Sequence, residues 1–120
     1  MTNNNSRSLE IAKQFLGKEI EIIIDRPIGS KHPKYDFIYE VNYGYVPNTK
    51  APDGDELDAY YLGTNEPLEK VKGFVRAIVH RLDDDDDKLV VMPKDLDMSY
   101  EEIEKQILFL EKWFKSKIIK

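Results

Sequence analysis

The chain has 120 residues, 41% of them apolar and 34% charged, a composition typical of one globular domain rather than a disordered, fibrous or membrane-spanning protein. It contains no cysteine, which excludes disulfides, thiolate zinc sites and cysteine nucleophiles and favours a cytoplasmic location. The polar first residues precede no apolar signal region, and no apolar run reaches the ~18 residues of a transmembrane helix. We therefore expect one domain over residues 1–120, with residues 1–8 flexible.

The net charge of -5 is unevenly distributed along the chain. One short segment holds Asp53, Asp55, Glu56 and Asp58, and a second consists of the five aspartates at positions 83–87. The rest of the chain is mildly basic but has no basic stripe of the kind that binds nucleic acid. Concentrated carboxylates are typical ligands of hard cations such as Mg²⁺ and Ca²⁺.

In chain order, residues 9–16 predict a short helix, and the alternating β-branched residues of 18–25 predict a strand. Residues 26–34 contain two prolines and a glycine and are predicted to form a loop. A long second strand is predicted over residues 36–46, with its aromatic residues on one face. Gly44 within it indicates a bulge or a close backbone approach.

The second half of the chain predicts more strands and one helix. The strands are expected at residues 57–62, 71–82 and 88–92, and the five aspartates form the turn between the last two. Ser99 and Glu102 make a capping box, and apolar residues at helical spacing extend the predicted helix to Ile118. About five strands and one closing helix predict a mainly β (α+β) fold, a small OB-like barrel with the C-terminal helix packed against it.

Taken alone, the acidic segments do not identify a metal site. An acidic turn is more often solvated than metal-binding, and five aspartates in a hairpin turn are often only a solvated turn. His32 and His80 are interpreted as a loop and a strand residue, because two histidines without cysteine seldom make a zinc site.

The sequence around the first acidic segment is a more specific signal than the acidic residues alone. Residues 42–59, NYGYVPNTKAPDGDELDA, closely resemble the signature region of the family I soluble inorganic pyrophosphatases. The loop PIGSKHPKYD at 27–36 and the hairpin DDDDDKL at 83–89 resemble two further family segments. This resemblance implies Mg²⁺-dependent hydrolysis of pyrophosphate to two phosphates by a metal-activated water, with no nucleic-acid or membrane partner. Whether the chain forms a homo-oligomer stays open.

The resemblance also implies roles for single residues. Asp55 would be the base for the attacking water, and Tyr43 would keep that base in order. The implied metal ligands are Asp25, Asp36, Asp53, Asp55, Asp58, Asp83, Asp84 and Asp86, with the choice between Asp83 and Asp84 open. The implied substrate contacts are Arg26, Lys34, Tyr39, Lys88 and Lys115.

Two departures from the family pattern stand out. The family has a further hairpin carrying an Asp-Arg pair before Asn-Tyr-Gly. Either that hairpin and its arginine are deleted here, which we favour, or Asp25 and Arg26 are themselves the pair. Near the C-terminus Phe114 and Lys115 replace a Tyr-Lys pair, so a hydroxyl donor is absent. Two alternatives therefore stay open: a hydrolase of another phosphoanhydride, and a non-enzymatic OB-like module that binds divalent metal.

Overall fold

The computed structural model describes residues 7–52, 54–83 and 85–120. Within these ranges the chain forms two helices and six strands, in the order α1 (Arg7–Lys13), β1 (Glu19–Arg26), β2 (Asn42–Val46), β3 (Leu57–Tyr61), β4 (Lys70–Arg81), β5 (Lys88–Met92), α2 (Tyr100–Glu111) and β6 (Ser116–Ile119).

Five of the strands close into a barrel. They pair in the order β1-β2-β3-β5-β4, and pairing of β1 with β4 closes the ring. The β3 and β5 strands are parallel, whereas the other neighbours are antiparallel. Because β4 is twelve residues long, its second half extends past β1 and pairs with β6 on that side, while it still pairs with β5 on the other. The predicted OB-like barrel with a helix against it is confirmed.

The two faces of the barrel wall bury separate apolar clusters. In β3, Leu57, Ala59 and Tyr61 face the interior, where they pack with residues of β1, β4, β5 and α1. Tyr60 and Leu62 point to the opposite face and pack under α2 with Ile103, Ile107 and Phe109. This is the alternation expected of a strand covered on both faces. Asp58, which has the same parity as Tyr60, therefore belongs to the outer face.

The predicted strand over residues 36–46 is wrong in its first half. Only Asn42–Val46 is a strand, and the preceding segment folds back on the loop before it. Tyr39 exchanges backbone hydrogen bonds with that loop at Gly29 and Ser30, both at 2.9 Å. The prediction for Gly44 is confirmed, because a Cβ there would overlap the carbonyl oxygen of Ile23 next to a bulge in β1.

The ends of the chain also differ from the prediction. Helix α1 begins at Arg7, within the stretch predicted to be flexible, and Ser8 is buried. The capping box at Ser99 is present, but α2 ends at Glu111 and does not extend to Ile118. Ile118 instead pairs with Val79 in the β4–β6 ladder. Its apolar spacing suits a helix, but pairing satisfies the backbone groups of β4 that would otherwise form an open edge.

Candidate active site

A buried lysine joins two predicted metal ligands on the outer face of the barrel. The ammonium of Lys88 lies 3.0 Å from Asp58 Oδ2 and 3.1 Å from Asp86 Oδ2. The lysine side chain is 4% exposed, whereas the carboxylate side chains are 35% and 34% exposed. Because β3 and β5 are parallel neighbours, Asp58 and Lys88 meet near the start of their strands. The site is thus open to solvent on its acidic side.

Tyr43 fixes the position of Asp58. It lies opposite Tyr60 in the β2–β3 ladder, and its phenol donates a hydrogen bond to the Asp58 carboxylate. Burial raises the pKa of Tyr43 well above 10.0, and the negative charge of Asp58 raises it further. Tyr43 is therefore a neutral hydrogen-bond donor, and its ring lies 5.8 Å from the Lys88 ammonium.

Asp25 and Arg26 reach the same place from the end of β1. Arg26 lies opposite Tyr43 in the β1–β2 ladder, and its guanidinium donates a hydrogen bond to the hydroxyl of Tyr39. Partial burial raises the pKa of Asp25, and the nearby charge of Asp58 adds to this, although Arg26 opposes it. These seven residues form what we call the charged cluster: Asp25, Arg26, Tyr39, Tyr43, Asp58, Asp86 and Lys88. The alternative in which Arg26 is the arginine of the Asp-Arg pair stays a prediction.

The residues of the aspartate turn have two different roles: one belongs to the charged cluster, and others form hydrogen bonds that stabilise the fold. Asp86 faces Lys88, but Asp87 is fully buried and accepts a hydrogen bond of 3.0 Å from the backbone N–H of Arg81. The second oxygen of Asp87 lies 2.8 Å from Nδ1 of His80. Asp85 accepts a 2.8 Å hydrogen bond from the backbone N–H of Ser8 at the start of α1. Sequence reasoning missed these two structural aspartates, although alternation along the turn separates them from Asp86.

Other predicted site residues lie elsewhere or cannot be placed. Asp53 and Asp84 lie outside the described residues. Asp55 is exposed in the bend before β3, where its carbonyl oxygen accepts a hydrogen bond from Ala51. The exposed residues that the structure does not join to the charged cluster are Lys34, Asp36, Asp83 and Lys115. Asp36 pairs with Lys31 at 3.3 Å, and Lys115 follows the helix instead of lying on it.

A second buried ion pair adjoins the charged cluster. Arg81 donates two hydrogen bonds, of 2.8 and 2.9 Å, to the carboxylate of Glu111, which also accepts one from the Tyr60 hydroxyl. The Arg81 guanidinium lies 3.6 Å from the ring centroid of Phe114. The sequence carried a signal for this pair, because Glu111 continues the buried stripe of Ile103 and Ile107 at a spacing of four.

The donor set of the charged cluster suits a hard cation. Its potential ligands are carboxylate oxygens, which Mg²⁺ and Ca²⁺ prefer over nitrogen or sulfur. Within the described ranges, no three His, Cys, Asp or Glu side chains are close enough to hold a metal by themselves. Lys88 instead neutralises Asp58 and Asp86, and the predicted ligand Asp53 is outside those ranges. By their chemistry, Asp58, Asp86 and Asp25 are oxygen donors of the kind that a divalent cation accepts, but the described carboxylates alone do not complete a metal site.

The geometry defines a small OB-like barrel with a mixed carboxylate and ammonium site on its outer face. The inorganic pyrophosphatase family model matches residues 4–118, nearly the whole chain. The chain therefore belongs to the inorganic pyrophosphatase family, as the sequence resemblance predicts. Membership of this family supports a metal cofactor.

Individual relatives agree with this assignment. An inorganic pyrophosphatase of Bacillus sp. (strain PS3) is 35% identical in a match that covers 45% of this chain and 42% of that protein. The match thus spans less than half of the curated relative. The crystal structure of an inorganic pyrophosphatase from Neisseria gonorrhoeae has a TM-score of 0.61 at 26% identity, covering 79% of this chain and 73% of that one.

A third relative supports the fold alone. An inorganic pyrophosphatase from Coxiella burnetii has a TM-score of 0.63 at 20% identity over 83% of both chains.

Neither helix of the part of the chain described by the structure is long and apolar enough to cross a membrane.

Proposed function

We propose that this chain hydrolyses inorganic pyrophosphate to two phosphates with Mg²⁺ as its cofactor. The observation that carries the proposal is the buried Lys88 ammonium held between Asp58 and Asp86, beside Tyr43 and Arg26. Cationic donors next to exposed carboxylates suit an anionic substrate that binds together with a divalent cation. The absence of cysteine from the sequence supports the cytoplasm as the place of action.

The cationic side chains of the charged cluster would bind the substrate. Lys88 and Arg26 would hold the phosphate oxygens, and the hydroxyl of Tyr39 would add a neutral donor next to Arg26. Asp58, Asp86, Asp25 and Asp55 would hold Mg²⁺, together with Asp53. When bound, Mg²⁺ neutralises phosphate charge and makes a water more acidic.

Proton transfer would fall to Asp55. Its carboxylate would accept the proton of the attacking water, as the family resemblance implies. Tyr43 would act differently, because its phenol already donates to Asp58 and so holds that carboxylate in one orientation. Tyr43 is therefore a positioning residue in this proposal, whereas Asp55 and Lys88 act on the reacting groups. Lys34, Asp36, Asp83 and Lys115 stay predictions from the resemblance, since no contact of the charged cluster within the described residues includes them. Asp84 also stays a prediction, because it lies outside those residues.

A phosphate-release assay tests the proposal. The purified chain should release phosphate from pyrophosphate with Mg²⁺ and not with EDTA. Asp55→Asn keeps the size of the side chain but removes the base, and we expect about 10²- to 10⁴-fold slower turnover. Lys105→Met, on the exposed surface of α2, is the control and should keep full activity. No Mg²⁺-dependent release by the folded parent chain would refute the proposal and favour a non-enzymatic metal-binding module.

A further inference from the structure

Arg81 and Glu111 form a buried ion pair that no step of the proposed reaction uses. The guanidinium donates two hydrogen bonds to the carboxylate, and the hydroxyl of Tyr60 donates a third. Both charged side chains are buried, so each has lost most of its hydration. Because that loss offsets the attraction between the charges, a buried ion pair is weak evidence for a purely stabilising role. The position of this pair relative to the charged cluster indicates a second role.

The β4–β5 ladder places Arg81 beside the aspartate turn. Val79 lies opposite Lys88 in this ladder, so two residues further along Arg81 and Asp86 stand at corresponding positions on the two sides of the turn. Residues two apart on a strand share a face, and Val79 packs in the outer apolar cluster under α2. The backbone N–H of Arg81 also donates to Asp87, the neighbour of Asp86. Arg81 therefore lies on the face of the charged cluster and near Asp86.

The charges of Arg81 and Asp86 act on each other. Burial lowers the pKa of Arg81, but the hydrogen bonds and charge of Glu111 outweigh that effect, and the charge of Asp86 raises the pKa further. The guanidinium is therefore always ionised, and Glu111 cancels its charge. A charge at this depth is screened less by water and salt than a surface charge. Without the Glu111 carboxylate, Arg81 would repel a cation held by Asp86 and attract an anion beside it.

We propose that Glu111 sets the balance between cation and anion binding at the charged cluster by cancelling the charge of Arg81. The two ligands are Mg²⁺ and pyrophosphate, whose identity rests on the proposed function. A site that holds a divalent cation together with a polyanion requires a local potential that excludes neither. One additional buried charge would change the two affinities in opposite directions. Glu111 acts through Arg81 and contacts neither ligand, so it is a positioning residue.

Glu111→Gln tests the proposal, because it keeps the size of the side chain and an acceptor for Tyr60 but leaves the charge of Arg81 unpaired. Calorimetry should show about tenfold weaker Mg²⁺ binding and, in EDTA, pyrophosphate binding that is tighter by a similar factor. Damage to the structure would instead weaken both. Glu104→Gln makes the same change of charge on the exposed surface of α2 and should alter neither affinity.

Two further variants separate the charge of the pair from its contacts. Arg81→Met combined with Glu111→Gln removes both charges and keeps an apolar chain beside Phe114, so both affinities should return to within about threefold of the parent. Glu111→Asp keeps the charge but shortens the side chain, so it should bind both ligands as the parent does even if urea unfolding shows a loss of stability. These two variants still test the proposal if Glu111→Gln does not fold, because a purely structural role predicts weaker binding in both.

A phosphate-release assay distinguishes this inference from the proposed function. Opposite shifts in the two affinities, without hydrolysis by the parent chain, would support the inference and refute the proposed function. Hydrolysis by the parent, with both affinities unchanged or both weakened in Glu111→Gln, would overturn the inference and leave the proposed function intact. A double variant no closer to the parent than Glu111→Gln would also overturn the inference. A folded parent chain that bound neither ligand would refute both.

Discussion

Two adjacent aspartates of the hairpin turn should respond in opposite ways to the same substitution. Asp87 is fully buried, whereas the Asp86 side chain is 34% exposed and faces Lys88. Asp87→Ala leaves the backbone N–H of Arg81 and the Nδ1 of His80 without their acceptor. We expect this change to destabilise the fold with little direct effect on metal binding. Asp86→Ala should weaken metal binding and have little effect on the stability of the fold.

The magnitudes follow from the partners that each carboxylate loses. Each buried hydrogen-bonding group that loses its partner costs ~1–3 kcal/mol, and Asp87→Ala leaves two such groups. Asp87→Ala should therefore lower the free energy of unfolding by about 2–6 kcal/mol, or Tm by roughly 10–25 °C. Asp86→Ala loses one partly exposed ion pair while Lys88 keeps Asp58, so its loss should stay below about 1 kcal/mol. Urea unfolding followed by circular dichroism in EDTA measures both values.

Asp87→Asn protects the test against complete unfolding. Asparagine keeps one oxygen for the Arg81 N–H, so this variant should lose about half as much stability as Asp87→Ala. In the activity assay, Asp86→Ala should need a higher Mg²⁺ concentration for half-maximal rate, and folded Asp87→Asn should not. Equal stability losses at the two positions, or a shifted Mg²⁺ requirement only in Asp87→Asn, would refute this division of the turn.

Three further results are expected. Lys88→Met removes a cation but keeps the aliphatic chain, so kcat/KM for pyrophosphate should fall about 10²-fold or more while Lys105→Met has no effect; equal rates of phosphate release would contradict the role of Lys88. Because the pKa of Asp25 is raised above 3.8, its negative charge destabilises the fold at neutral pH. Asp25→Asn should therefore raise Tm at pH 7 in EDTA, and this gain in Tm should vanish below about pH 3.8. A lower Tm for the variant at pH 7 would show that the Asp25 charge stabilises the fold and would contradict this prediction. Ca²⁺ should bind and inhibit, because its longer, looser coordination misplaces water and substrate. Calorimetry measures its binding, and phosphate release with Ca²⁺ as the only divalent ion measures its effect on activity. Full activity with Ca²⁺ alone would exclude a site built for Mg²⁺.

Local patterns were sufficient to predict most strands and part of the charged cluster. Asp58 shares the outer face of β3 with Tyr60, as a two-residue period requires. The resemblance brought Lys88, Tyr43 and Asp58 into one expected site, and they are in contact. These residues lie on regular strands, where a two-residue period and the order of neighbours decide which side chains meet.

The errors fall where tertiary pairing overrides local pattern. The alternating aromatic residues before Asn42 suit a strand. However, the rings of Phe37 and Tyr39 pack against Phe109 of α2, and the backbone of this segment forms hydrogen bonds with the preceding loop. Ile118 continues a helical stripe, yet it pairs with Val79 in the second half of β4. Neither partner is near in sequence, so no local window contains the information.

The bulge in β1 explains how Arg26 comes to lie in the charged cluster. The register of the β1–β2 ladder shifts between Ile24 and Arg26, where Gly44 lets the two backbones approach closely. A bulge bends its strand and redirects the side chains that follow. Arg26 is thereby placed opposite Tyr43, with its guanidinium on the Tyr39 hydroxyl. The position of Arg26 thus depends on one glycine and one bulge within the barrel.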